Sequence, residues 1–286
     1  MENLHEVNAD KLNVYFSQKE LSPSTKSKYI NYFIKIENIL TGYDEDKYDI
    51  FKNIQLVLKL LSEHVADKKL KVEMVKQFLQ IVNKLKPSKS VENAIAIYSK
   101  KTNDYYKDKT KEELNATSLT YKDLKSLLTN KNVSDIDYLL FYLLFSYGVR
   151  NKDLIISLQK TEGNYMIVNN KSIRYVRNDY KTYEKYGTLN ISIKNPRFIN
   201  IVKKYQEDGK QHLFENNKKM PYNHDDMTNY INSRYNHYLN TEERISEGLI
   251  YKIINNYYSQ KKDTKKQVAI ARSRGHDLAT QEKFYE

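Results

Sequence analysis

Apolar residues recur at three- and four-residue steps through most of the chain, which predicts a mainly helical protein. Tyr29, Phe33, Ile36 and Leu40 share one helical face. They follow Leu21-Ser22-Pro23-Ser24-Thr25, a start with a capping hydroxyl and a proline near the first turn, and Gly42 stops the run. Phe51 to Val65 and Val72 to Leu85 read as two further amphipathic helices, the second through Val72, Val75, Leu79 and Val82 and closed by Pro87. A fourth runs from Val91 to about Tyr106, completing a small bundle. Lys107 to Asn115 is charged, shows no apolar face and reads as a linker, so domains are expected at 1–110 and 111–286.

In the second part Ser118-Leu119-Thr120 caps a helix to Leu128. Tyr138 to Tyr147, begun at Asp135, is apolar nearly all round and is expected to be buried. The period then shortens to two. Tyr165–Val168, Ser172–Val176 and Thr188–Ile193 read as three short strands, with turns at 169–171 and 179–187. Pro196 to Tyr205, Asp225 to Leu239 and Ile245 to Ile254 read as helices, and Lys210 to Phe214 as a short extended segment. The expected fold class is mainly α with a small antiparallel β-sheet (α+β).

Composition sharpens this picture. Seven glycines and four prolines in 286 residues agree with few sharp turns. With no cysteine, disulfides and thiolate metal sites are excluded; His224 and His237 have no partner at ligand spacing, so no metal is expected. No run reaches the roughly 18 apolar residues of a membrane span. Met1 to Glu6 lacks the basic and apolar segments of a signal peptide, so an intracellular protein with no membrane partner is expected. The net charge of +12 points to a polyanionic partner. The bias of an AT-rich gene toward Lys, Asn, Ile and Tyr would produce the same charge without any partner.

Three stretches carry candidate chemistry. The buried helix ends at Gly148-Val149-Arg150, with Asp153 three residues on. A guanidinium fixed beside a core can donate two parallel hydrogen bonds to an oxyanion. Tyr180-Lys181-Thr182 lies in the second turn between strands, with Lys185 as a nearby substitute; an ammonium is a compact proton donor whose pKa falls on desolvation. The chain closes on Gly275-His276, a polar segment with Thr280-Gln281, and Tyr285 nine residues after the histidine.

In this order and spacing the three stretches resemble the signature of the tyrosine recombinases, the phage-integrase family. The resemblance covers most of the chain, most strongly from Leu139 to Tyr285. It implies that Tyr285 attacks a DNA phosphodiester, forming a 3′-phosphotyrosyl link and releasing a 5′ hydroxyl. Arg150 and His276 would stabilise the non-bridging oxygens, and Lys181 would protonate the leaving oxygen. Because the link preserves bond energy, no metal or nucleotide cofactor is implied. The N-terminal bundle resembles the family's core-binding domain, a DNA clamp in which Lys26 and Lys28 would position phosphates. Arg272, Arg274 and the basic 261–266 segment are further candidate DNA contacts. The implied partners are double-stranded DNA and three further protomers, a homo-tetramer assembled on it. The composition and the Thr-Gln before the terminal tyrosine look like versions found in large DNA viruses and mobile elements.

One part of the signature is absent. The family's His-x-x-Arg element would fall on the helix from Ile245, where Gly248 takes the histidine's place and Tyr251, or Lys252 with a one-residue shift, takes the second arginine's. Arg244, Arg272 and Arg274 are candidate substitutes. Two functions therefore stay open: an active site-specific recombinase or integrase, and a catalytically degenerate relative that binds DNA architecturally. A type IB topoisomerase shares the chemistry, but the N-terminal bundle and the Gly-His spacing argue against it.

Overall fold

The computed structural model describes residues 12, 23–44, 47–64 and 68–276. The chain divides into two compact units, Met1–Tyr106 and Lys107–Glu286.

The first unit is helical, as its periodicity predicts. Helix α1 (Pro23–Leu40), α2 (Ile54–His64) and α3 (Lys68–Leu85) surround a core with the start of α4 (Lys89–Ala116). Phe33 and Ile36 of α1 are buried against the α3 stripe of Val75, Phe78, Leu79 and Val82, with the Phe33 and Phe78 rings 5.3 Å apart. The expected linker at 107–115 is corrected by the structure: it forms the last turns of the 28-residue α4. No glycine or proline interrupts it, and Lys109 and Glu113 form an i,i+4 pair at 3.7 Å. A narrow stripe also exists there, since Thr110 is buried and Leu114 packs on the second unit's core.

In the second unit a capping box at Thr120 starts α5 (Tyr121–Ser126). Helix α6 (Asp135–Tyr147) is the centre of the core, with Leu139, Leu140, Phe141 and Leu143 wholly buried. It ends at Gly148, whose φ of 57° is left-handed. The Tyr251 ring lies 2.7 Å from where a Cβ would stand, so only glycine fits. A 3-10 turn (Asn151–Leu154) leads into the sheet, β1 (Ile156–Ser157), β2 (Asn164–Val168), β3 (Ile173–Arg177) and β4 (Leu189–Ile193), in that spatial order. The β2–β3 and β3–β4 pairs are antiparallel as expected, but β1 pairs in parallel with β2, which makes the sheet mixed. A two-residue strand is too short for alternation to mark it.

Between β3 and β4 lies a short helix, α7 (Tyr183–Tyr186). Then follow α8 (Pro196–Glu207), α9 (His224–Leu239), α10 (Glu247–Gln260) and α11 (Thr264–Arg274). The Lys210–Phe214 segment is held to β1 by Leu158 N–H on the Gln211 carbonyl and Leu213 N–H on that of Ile156. Helix α11 is not anticipated by the pattern, because its buried face includes Gln267 and Arg274 beside Ile270 and Ala271. Asp263 caps its start and Gly275 its end. Among the described residues, no helix is long and apolar enough to cross a membrane.

Candidate active site

Arg150 sits at the mouth of the turn that leaves α6. Its backbone N–H donates to Asp153 Oδ2 at 2.7 Å. Its guanidinium donates through Nη1 to the Arg274 carbonyl at 2.7 Å and through Nη2 to His276 Nε2. An arginine only donates, so in this contact Nε2 is the acceptor.

His276 is carried by the end of α11. Its backbone N–H closes on the Ala271 carbonyl at 2.8 Å, and Gly275 has a φ of 74°. A Cβ on Gly275 would stand 2.6 Å from Thr182 Oγ1 and 2.8 Å from Tyr180 Cε2. Thr182 Oγ1 also donates to the Gly275 carbonyl at 2.7 Å. The glycine of the Gly-His pair thus lets the segment bearing Lys181 lie directly against the residue before His276.

Lys181 is exposed, yet its ammonium titrates below the ordinary lysine range. Partial burial of the group is the main cause, followed by the positive charges of Arg150 and Arg274; Glu247 opposes them. A lysine whose proton is loosened in this way is suited to giving it up. The strand exit before it is fixed by buried Asn164. Its Oδ1 accepts the Asn178 and Asp179 N–H groups at 3.1 and 2.9 Å, and its Nδ2 donates to the Asp179 carbonyl at 2.9 Å.

The place of the second arginine is filled differently. Tyr251 is wholly buried, its ring edge-on to that of His276 with centroids 6.3 Å apart. The Arg274 guanidinium lies 4.3 Å over the same ring. Arg274 is buried as well, donating to the Gly148 carbonyl at 2.6 Å and to Glu247 Oε2 at 2.9 Å. The expectation of Arg274 as a surface DNA contact is therefore replaced by a cation braced beneath the site. Lys252 is committed to Glu113, 2.6 Å away, and Arg244 lines a cleft with Lys109, Glu113 and Thr117.

The remaining candidates are dispersed. Arg272 is exposed and lines a groove of about 620 Å³ with Tyr147, Ser192 and Lys266. Lys185 is exposed over the Tyr186 ring. In the first unit Lys26 is half-buried, and Lys28 is paired with Glu73 at 2.8 Å, a held charge where an open one was expected. Tyr285 lies outside the described residues.

Sequence reasoning missed Arg177, Asn164 and Glu247. A signal existed for the first: Ile173, Tyr175 and Arg177 fall on one face of β3 by the two-residue alternation, and all three are buried.

No protein-family model matches the chain, and no curated protein matches it. Among solved structures it is similar to XerA recombinase, at 11% identity and a TM-score of 0.42, over 97% of this chain and 92% of that one. XerH site-specific recombinase, solved with its difH substrate in a pre-cleavage complex, gives 12% and 0.43, over 96% and 90%. Lambda integrase residues 75–356 bound to DNA gives 12% and 0.37, over 94% and 91%. With every TM-score below 0.5, function has to rest on the site itself. All three are tyrosine recombinases.

Proposed function

We propose that this chain is a site-specific DNA recombinase that cleaves and rejoins duplex DNA through a tyrosyl intermediate. The observation that carries the reading is the convergence of Arg150, Lys181 and His276. They come from a helix-end turn, a strand connection and the end of α11, and they share one cationic site. Preorganised donors of this kind stabilise the charge that develops on an attacked phosphodiester. Tyr285 Oη loses its proton to solvent as it attacks phosphorus, the bond to the 5′ oxygen breaks, and the Lys181 ammonium gives that oxygen its proton. Arg150 and His276 serve the non-bridging oxygens. Religation is the reverse displacement by a 5′ hydroxyl, so no cofactor chemistry enters. The basic balance supports a duplex DNA partner. The helical 1–110 region acts as a clamp, and four protomers on two duplexes complete an exchange.

A second reading, a DNA-binding relative without catalysis, is favoured by one feature. The guanidinium nearest the second-arginine position, that of Arg274, is occupied by Glu247 and the Gly148 carbonyl.

The discriminating experiment is SDS-resistant attachment to nicked or supercoiled duplexes, including the ends of the protein's own element, with Tyr285→Phe alongside. A covalent adduct lost in the variant supports the recombinase. Salt-sensitive binding with no adduct from the wild type on any of these substrates sinks that reading in favour of the architectural one.

A further inference from the structure

Three successive carbonyls at the end of α11 are each received by a side chain from a different segment. Ser273 O accepts from Arg177 Nη1, Arg274 O from Arg150 Nη1, and Gly275 O from Thr182 Oγ1. The last carbonyls of a helix lack intrahelical partners and carry its negative dipole end, so they favour cationic donors. Two of these three donors belong to candidate active-site segments. Arg177 belongs to neither, and the proposed chemistry does not use it.

Among the described residues, Arg177 is the largest wholly buried side chain, at 0% exposure. Its Nη2 lies 2.6 Å from Asp153 Oδ2, the same oxygen that accepts the Arg150 backbone N–H. Its guanidinium carbon is 4.7 Å from the centre of the Tyr180 ring, the residue before Lys181 and the ring against which Gly275 packs. The Asp153 carbonyl in turn accepts the Tyr175 hydroxyl. One side chain therefore touches the Arg150 turn, the Lys181 segment and the helix end that presents His276. Stability alone is a poor account of it, because a buried ion pair loses its hydration and an apolar pair of equal volume often does as well or better.

We propose that Arg177 is a positioning residue that sets the Arg150 turn and the end of α11 in register, so that Arg150 meets His276. The chemical consequence rests on the recombinase reading; the geometric one does not.

The test compares wild type, Arg177→Lys, and the double variant Arg177→Met with Asp153→Asn. In the double variant the asparagine oxygen still accepts the Arg150 N–H, and no lone buried charge is left. Lysine reaches either Asp153 or the Ser273 carbonyl, not both, because it lacks the planar fork. The histidine C–H resonances are followed through a pH titration, with His276→Gln giving the assignment, and adduct formation is timed at saturating DNA. In the double variant the His276 titration should move, and adduct formation should slow about tenfold or more at little changed DNA affinity, since small misplacements of catalytic groups act on rate. Arg177→Lys should fall between. An unmoved His276 titration in both variants overturns the proposal, as does a wild-type adduct rate in the double variant. If the wild type forms no adduct, the recombinase reading fails while the His276 titration still decides the positioning role. If the double variant does not fold, Arg177→Lys decides it.

Discussion

Arg150 Nη2 donates to His276 Nε2, joining the turn after the buried helix to the residue that follows α11. The two groups that serve one phosphate in the proposed reaction serve each other here, and the second guanidinium nitrogen is satisfied by the Arg274 carbonyl. In the proposed reaction the substrate phosphate replaces the imidazole as acceptor. Lysine offers one point charge in place of two fixed donors. Arg150→Lys is expected to reduce adduct formation by about 10²–10³, with a much smaller change in filter-binding affinity. A near-wild-type rate would remove Arg150 from the chemistry.

Gly275 and Gly209 share a φ of 74°, but a Cβ on Gly209 would meet nothing within 4 Å, whereas one on Gly275 would overlap Thr182 and Tyr180. Gly209→Ala should cost about 1–2 kcal/mol, the left-handed backbone term alone. Gly275→Ala should cost about 1–3 kcal/mol more, the usual range for overpacking, and should also lose adduct formation. Urea denaturation of the pair isolates the contact; equal losses would show that the Lys181 segment yields freely.

Lys181 has a folded-state pKa lowered by partial burial and then by Arg150 and Arg274. The folded state therefore disfavours its charged form, a cost present at low and neutral pH and relieved as pH rises through the lowered value. Lys181→Met should leave the Tm equal to or above wild type at pH 7, with the difference fading toward alkaline pH. It should slow cleavage, and a substrate with sulfur in place of the 5′-bridging oxygen, a leaving group that needs no proton, should restore it. In wild type, cleavage should begin to fall below the ordinary lysine pKa of about 10.4. Failure of the sulfur substrate to rescue would assign the proton to another group.

Asp137 is buried beneath α9, where Arg234 grips it at 2.8 Å through both Nε and Nη2 and Ser134, Tyr230 and Tyr238 donate their hydroxyls. Burial alone would raise its pKa, but Arg234 and the three hydroxyls together take it below the ordinary range. The carboxylate thus contributes stability above the unfolded pKa of about 3.9, lost as pH falls through the lower folded value. Asp137→Asn is expected to cost about 3 kcal/mol at pH 7 and progressively less in acid. A loss that does not change with pH would assign the effect to packing.

Much of the architecture was legible because it depends on periodicity, which is local. The Tyr29–Leu40 and Val72–Leu85 stripes, the buried Tyr138–Tyr147 helix and the β2–β3–β4 alternation all follow from spacing alone. Helix α11 was hidden because its buried face carries Gln267 and Arg274, polar groups that only tertiary partners make tolerable there. The end of α4 was hidden because helix propensity and ion pairs stand in for an apolar face.

The candidate site divides in the same way. Arg150, Lys181, His276 and Tyr285 are candidates because their order and spacing resemble a family signature. Whether a second guanidinium reaches the site could not be read. Arg244, Arg272 and Arg274 are equivalent as letters, and only packing separates them: one lines a cleft with Glu113, one is exposed, and one is buried over Tyr251. Arg177 shows the same limit from the other side. The sequence places it on the inward face of β3, but its value depends on Asp153, Tyr180 and the Ser273 carbonyl meeting there. Hydrogen bonds and ion pairs act over a few ångströms in space and carry no period along the chain. The sequence by itself therefore determined most of the helices, the antiparallel strands and the candidate groups, and the tertiary structure decided which charges hold them in place.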